Sequence, residues 1–347
     1  MTTTIHDVAR RARVSVTTVS RALTQPELLR PSTRLRVLKV AKALAYHPNR
    51  AARSLITGKT GTIGIIVPDL ANPFYPGVLR GVQTRAHESG YAVLLADSDE
   101  DPAAEENLVH TMAKQVDGVI VCAPFAADAR LRRLATSTNL VLINRRCGAI
   151  PAALMDIARG MRDVVDHLRA IGHRGVAYLG GPARAWSNRE RLRGLRAACD
   201  ANRVRLIEFG AFEPKFESGI EGADLAIDAG ATAIVAYNDL MALGVLSRLA
   251  ARGVRVPYDV SVVGIDDLLF ASMCAPPLTT VAMPMEATGR AAADLLLRQC
   301  AEKRIDDRAS TNFRLATRLM VRSTTAPPRL APRSGPSHQR KAAPARK

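Results

Sequence analysis

Cysteine, acidic residues at the two ends and long apolar runs are all scarce in this chain, and each shortage removes a class of protein. The five cysteines (Cys122, Cys147, Cys199, Cys274 and Cys300) are scattered and form no Cys-x-x-Cys pair. That pattern argues against a zinc or redox site and suits a reducing, cytoplasmic setting. No run approaches the roughly 18 apolar residues of a membrane helix. The N-terminus lacks the apolar stretch of a secretory signal and runs straight into Asp7, Arg10, Arg11 and Arg13, so no membrane partner is expected. Catalytic signatures are missing too: no nucleophile elbow, no metal-ligand spacing, no acid/base pair with a shared location. Gly58-Lys59-Thr60 resembles the end of a phosphate loop, but the loop's first glycine would fall on Arg53. No enzymatic activity, cofactor or metal is expected.

The missing acids leave the charge lopsided. Residues 1–60 hold 12 Lys/Arg against 2 Asp/Glu, and residues 326–347 hold 6 against none. Of the net +17, only +1 remains for residues 61–325. A near-neutral body thus carries a basic head and a basic tail, and a head of this kind favours nucleic acid. The body is large enough for two or three units, and a hydrophobic content of 47% can fill their cores.

In the head, Ile5, Val8, Ala9 and Ala12 have helical spacing. Ser15 stands where a second helix needs an N-cap. On that second helix Val16, Thr17 and Arg21 are spaced to face outward, and Val19 and Leu23 inward. Two short helices with so brief a link form a helix-turn-helix, whose second member can read base edges in the DNA major groove. A loop from Thr24 to Arg30 leads to Pro31, suited to the first turn of a third helix. Leu35, Val37, Leu38, Ala41 and Leu44 supply its apolar face. Beyond it, Arg50–Ile56 has the length of two helical turns, too short to be stable alone in water; an ordinary linker fits equally.

From Thr62 the pattern alternates. Short β-branched runs (62–67, 91–96, 118–122, 140–144, 175–179, 205–209, 233–236 and 260–265) are separated by helical segments, the signature of parallel sheets covered on both faces. They are too many for one compact sheet, so two α/β lobes are expected, with a break near 155–160. Ligands bind such sheets beyond the carboxyl ends of the strands. The candidates there are the stretch Asp69–Tyr75, Asp97-Ser98-Asp99, Pro124-Phe125, Asn144-Arg145, Trp186–Arg191, Asn238-Asp239 and Asp266-Asp267. They combine bidentate polar groups with aromatic faces, as a small polar ligand requires. Trp186, the single tryptophan, suits either pocket stacking or lobe packing.

Several stretches resemble the lactose-repressor (LacI/GalR) family of transcriptional regulators: Asp7-Val8-Ala9, the run Val14–Arg21, the run Tyr46–Leu55, and Thr57-Gly58-Lys59-Thr60-Gly61. The likeness extends to about Thr325. It implies a DNA-binding head at 1–46, a hinge helix and linker at 47–60, and a two-lobed, periplasmic-binding-protein-like body at 61–325. The first lobe would comprise about 61–157 and 284–309, and the second about 158–283 and 310–325. Residues 326–347 read as a disordered basic tail without the apolar heptads a tetramer would need. Partners implied are double-stranded operator DNA, a small-molecule effector and a second copy in a homodimer.

Carried over residue by residue, the DNA-facing set is Thr4, Ser15, Val16, Thr17, Thr18, Ser20 and Arg21 in the head. The hinge adds Asn49, Arg50, Ala52, Arg53 and Leu55, the last matching a minor-groove wedge. The effector set is Asn72, Phe74, Asp97, Phe125, Asn144, Trp186, Arg191, Asn238 and Asp266. Three positions depart from the family. Arg13 replaces a turn glycine, at a cost of about 1 kcal/mol if the backbone is left-handed. Thr24 replaces a common asparagine. Asn144 replaces the aspartate of many sugar responders, and Arg145-Arg146 follow it, which leaves acidic ligands open. The expected function is a DNA-binding regulator, a repressor switched by a sugar, sugar acid or similar effector. The rivals are a sugar-binding transport-type protein and a ligand-free architectural DNA protein.

Overall fold

The computed structural model describes residues 3–46, 58–301 and 312–329. The chain divides into two compact units, residues 1–61 and 62–347.

The described residues of the first unit include the α-helices α1 (Ile5–Ala12), α2 (Val16–Thr24) and α3 (Pro31–Ala43). Thr4 opens α1, its backbone N–H and hydroxyl both donating to Asp7 Oδ2, at 3.0 and 2.7 Å. These bonds hold the Asp7 carboxyl below its usual pKa. Arg13 ends α1 with φ at 52°, so arginine occupies the left-handed turn conformation that favours glycine. Ser15 caps α2 by accepting from the Thr18 backbone N–H at 3.1 Å. Val8, Ala9, Ala12, Val19, Ala22, Val37 and Ala41 form the core. Two expectations fail here. Val16 is half-buried against this core rather than turned outward. Leu35 is 67% exposed, and Val40 packs on the core from α3 instead. With so small a core, adjacent positions on a helix face need not all be covered.

The second unit begins with β1 (Thr62–Val67), α4 (Phe74–Glu88), β2 (Ala92–Asp97), α5 (Pro102–Met112), β3 (Val119–Cys122), α6 (Asp128–Ser137), β4 (Leu140–Ile143) and β5 (Ala152–Met155). Asp156 bridges to α7 (Ile157–Ala170) and caps it by accepting from the Arg159 N–H. There follow β6 (Gly175–Leu179), α8 (Trp186–Asn202), β7 (Arg205–Phe209), α9 (Phe216–Asp228), β8 (Ala233–Ala236), α10 (Asp239–Ala251), β9 (Ser261–Asp266), α11 (Leu269–Met273) and β10 (Thr279–Ala282). The chain closes with α12 (Met285–Ala301), β11 (Asn312–Leu315) and β12 (Arg318–Met320).

Two six-stranded sheets result, ordered β11-β5-β4-β3-β1-β2 and β12-β10-β9-β8-β6-β7. The two orders are the same pattern. Every pairing is parallel except β10 with β12. The central strands β1, β3, β4, β6, β8 and β9 are buried Val/Ile/Leu/Ala runs, as parallel strands covered on both faces must be. Each lobe also has a helix pair in near-backbone contact. A Cβ on Gly81 would sit 2.0 Å from the Glu286 carbonyl oxygen, joining α4 to α12. A Cβ on Gly244 would sit 2.0 Å from that of Phe216, joining α10 to α9.

The strand runs read from sequence appear, with ends shifted by a residue or so at β2, β3, β4 and β9. One boundary is corrected. The resemblance puts residues 310–325 wholly in the second lobe, but Asn312–Leu315 pairs with β5 in the first sheet, and β12 joins the second. The crossing falls at Ala316-Thr317, where the Thr317 hydroxyl donates to the Asp156 carbonyl at 2.9 Å. One core cluster runs through both lobes by way of Met155, Ile157, Val281 and Met283.

Candidate functional site

In the head, Thr4, Ser15, Thr17 and Arg21 are exposed, while Val16, Thr18 and Ser20 are half-buried. The Ser15 hydroxyl is engaged in capping and lies 2.8 Å from that of Thr18, so these two shape the start of α2 as well as facing out. Asn49, Arg50, Ala52, Arg53 and Leu55 lie outside the described residues.

In the body, the strand-end candidates gather at the carboxyl edges of both sheets. The second lobe supplies a buried ion pair. Arg191, on α8, donates from Nη2 to Asp266 Oδ1 at 3.4 Å, with side chains only 6% and 4% exposed. Its Nη1 donates to the Tyr237 carbonyl at 2.6 Å, and its guanidinium lies over the Tyr237 ring at 4.2 Å. Arg191 Nε has no hydrogen-bond partner among the described residues. Burial drives the Asp266 carboxyl up to about 8, against the pull of Arg191. Asp266 has φ at 128° and Asp267 at 60°, both positive, so the backbone leaving β9 is strained where the ion pair sits. Asp267 accepts from Arg322 at 2.6 Å. Asp239 accepts from the Thr280 hydroxyl and the Leu268 N–H, at 2.6 and 2.8 Å.

Asn238 is fully buried and occupied. Its Oδ1 caps α10 through the Met241 N–H at 2.9 Å, and its Nδ2 donates to the Pro214 carbonyl at 3.2 Å. Trp186, at the start of α8, is half-buried and packs against core clusters of both lobes.

The first lobe supplies aromatic rings on braced loops. Asn72 Oδ1 accepts from the Phe74 N–H at 3.0 Å. Phe74 is a core residue, edge-on to Tyr75 with centroids 5.2 Å apart. Asp97 is exposed but accepts from the N–H groups of Leu70 and Asp99, at 2.7 and 2.9 Å, and so shapes the loop after β1. Asn144, with φ at 52°, joins β4 to β5: its Oδ1 accepts from the Met155 N–H at 3.1 Å. Phe125 is held by Glu105, whose buried carboxylate accepts from the N–H groups of Phe125 and Ala126, at 3.0 and 3.4 Å. Arg145 grips the same loop through the carbonyls of Pro124 and Ala126, and pairs with Asp128 at 2.5 Å. It is a brace of the first lobe, not a free cation for an acidic ligand.

The lobes meet through these groups. The phenol of Tyr75 is raised by burial first, then by Tyr237, Cys122, Glu100 and Asp266, which places a first-lobe hydroxyl within electrostatic range of the second-lobe pair. Arg184, between β6 and α8, lies over the Phe125 ring at 5.2 Å and donates to the Glu100 carbonyl at 3.2 Å. Tyr75 and Ser187 fall within the candidate stretches Asp69–Tyr75 and Trp186–Arg191 without being carried into the effector set, and Tyr237 lies outside every candidate stretch. Tyr237, whose hydroxyl is 2.7 Å from that of Ser187, directly follows β8, so the strand-end rule could have found it. Among the described residues, no cluster of three or more His, Cys, Asp or Glu could hold a metal, and no helix is long and apolar enough to cross a membrane.

Residues 4–49 match the family model for bacterial regulatory proteins of the lacI family, and residues 165–325 that for a periplasmic binding protein-like domain. The chain is 33% identical over 337 residues to the HTH-type transcriptional regulator DegA of Bacillus subtilis (strain 168), covering 94% of this chain and 99% of that protein. Its fold matches the Lac repressor dimer bound to operator and the anti-inducer ONPF, with a TM-score of 0.83, 28% identity, and coverage of 94% and 100%. It also matches the transcriptional regulator CelR in its cellobiose complex, with a TM-score of 0.69, 31% identity, and coverage of 93% and 99%. The reading head, the paired sheets and these likenesses together place the chain in the LacI family of bacterial transcriptional regulators.

Proposed function

We propose that this regulator is a homodimeric repressor whose operator affinity is set by a small polar effector held between the lobes. The observation that carries the effector site is the buried Arg191–Asp266 pair stacked on Tyr237, with Tyr75 of the other lobe in electrostatic range and Phe125 of that lobe under Arg184. A buried guanidinium and carboxylate offer directional donors and acceptors, and aromatic rings offer flat apolar faces. That is the chemistry of a hydroxyl-rich molecule such as a sugar or sugar acid. The cellobiose held by CelR supports the class. Asn72, Asp97, Asn144 and Asn238 act by fixing backbone around the site, since their polar atoms already hold local partners. Trp186 packs where the lobes join and reports their closure.

Thr17 and Arg21 read base edges, with Thr4, Ser15, Val16, Thr18 and Ser20 setting the position of α2; the basic side chains of the head supply the salt-dependent phosphate attraction. The hinge contacts proposed for DNA are Asn49, Arg50, Ala52, Arg53 and Leu55. Dimerisation is supported by an exposed apolar group on α11, Leu269, Phe270 and Met273. Closure of the lobes changes hinge spacing, and a coupling of about 1–3 kcal/mol changes operator affinity roughly 5–150-fold.

The test is an operator-selection experiment, followed by binding of the selected DNA at fixed salt with sugars, sugar acids and nucleobases, while Trp186 emission is followed. Sequence-selective binding that one ligand shifts supports the proposal. Binding without sequence preference and without ligand effect would support an architectural protein. Ligand binding without any DNA affinity would support a transport-type protein.

A further inference from the structure

The Arg145-Arg146 pair divides its labour. Arg145 turns inward to brace the Phe125 loop, whereas Arg146 lines a separate cavity of about 370 Å³. That cavity draws on both lobes and on the first crossover: Arg146 before β5, Asp156 at the crossover, Trp186, Glu190 and Arg193 on α8, and Arg314 on β11. It is distinct from the Arg191 site by helix geometry. Trp186, Glu190 and Arg193 stand at i, i+4 and i+7 on one face of α8, and Arg191 lies about 140° around from Trp186.

The charges in the cavity do not cancel. Glu190 pairs with Arg193, and Asp156 lies 3.9 Å from Arg314. Arg146 is exposed and makes no ion pair among the described residues. Three guanidinium groups from three separate elements therefore face two carboxylates. Met155 and Ile157 add apolar surface beside Trp186. The volume lies within the range of small-molecule sites.

We propose that this cavity is a second ligand site, for a compact organic oxyanion, either carboxylate or phosphate. The oxyanion meets the surplus charge of Arg146, and the organic body lies along Trp186. Because Asp156 and Arg314 each stand within two residues of a lobe crossing, occupancy changes how the lobes hinge, independently of the Arg191 site.

The probes are phenyl phosphate, benzoate and neutral phenol, titrated against the full chain while the emission of its single tryptophan and its thermal midpoint are followed. At least one anion is expected to saturate, with phenol more than about tenfold weaker, since charge-assisted bonds are the strong ones. Whichever of phenyl phosphate and benzoate binds more tightly identifies the phosphate or the carboxylate source. Arg146→Gln should weaken the anion about tenfold; Arg146 is exposed, so the fold should tolerate it. Phe125→Ala, in the other cleft, should leave anion affinity within about twofold. Absence of saturation with both anions overturns the proposal. So does equal binding of phenol, or an anion response lost in Phe125→Ala but kept in Arg146→Gln.

Discussion

Each lobe buries one arginine near the carboxyl edge of its sheet, and the two do different work. Arg145 in the first lobe and Arg191 in the second are both buried, and in both Nε lacks a hydrogen-bond partner among the described residues. Arg145 pairs with an aspartate whose side chain is half exposed and closes a loop of its own lobe. Arg191 pairs with an aspartate as buried as itself, within range of a tyrosine from the opposite lobe. The same sheet order thus carries two chemistries. What separates them is where the partner carboxylate sits: one that can hydrate serves a brace, and one that cannot lies at the proposed effector site.

Removing the arginines tests this first. Arg191→Ala strands Asp266 in the interior and should cost roughly 3–5 kcal/mol in denaturant unfolding, with any effector response abolished. Arg145→Ala leaves Asp128 free to hydrate and should cost about 1–3 kcal/mol, for the unpaired loop carbonyls, with the effector response retained. Equal losses in both assays would break the distinction.

The helix pairs give a second comparison, in which the lobes should agree. Gly81→Ala and Gly244→Ala each force a Cβ onto a backbone oxygen and should each cost about 1–3 kcal/mol. Tolerance of one alone, in calorimetry, would show that its helices separate more readily.

Two buried histidines make part of the second lobe's stability sensitive to acid. His167 and His173 both have depressed pKa values because burial disfavours the charged ring; His173 also lies 3.0 Å from the Ala326 carbonyl and 2.9 Å from the Thr232 hydroxyl. The unfolded chain takes up these protons first, near pH 6.5. Their contribution is therefore full above that value and lost as pH falls below it. The raised Asp266 carboxyl acts in the opposite sense, so the histidine contribution is read by difference: between about pH 7 and pH 5 the thermal midpoint of the parent chain should fall relative to that of His173→Gln. The smallest effect is expected in the head: Arg13→Gly relieves a left-handed arginine and should stabilise that unit by up to about 1 kcal/mol, while weakening DNA attraction by one charge.

The β-branched strands and the amphipathic head helices were legible because their periodicity is local. The strands at 152–155, 279–282, 312–315 and 318–320 were not read as runs. Ala-Ala-Leu-Met has no intrinsic strand preference; it is extended because β4 and β11 flank it. The strand-end rule picked out positions in the loops that follow the strands of both sheets. It could not tell which polar atoms were already engaged, since the partners of Asn144, Asn238 and Arg145 come from elsewhere in the chain: Met155, Pro214, and the loop carbonyls of Pro124 and Ala126.

The strands at 312–315 and 318–320 belong to different sheets although two residues separate them. On a ribosome, then, both lobes wait for this one segment, and their sheets are completed within a few residues of each other. Until about residue 320 emerges, the edges of β5 and β10 both stand unpaired, and unpaired edges invite association with other chains. Newly made copies are most exposed to misassembly in that interval, and a truncation just before residue 312 would hold them there.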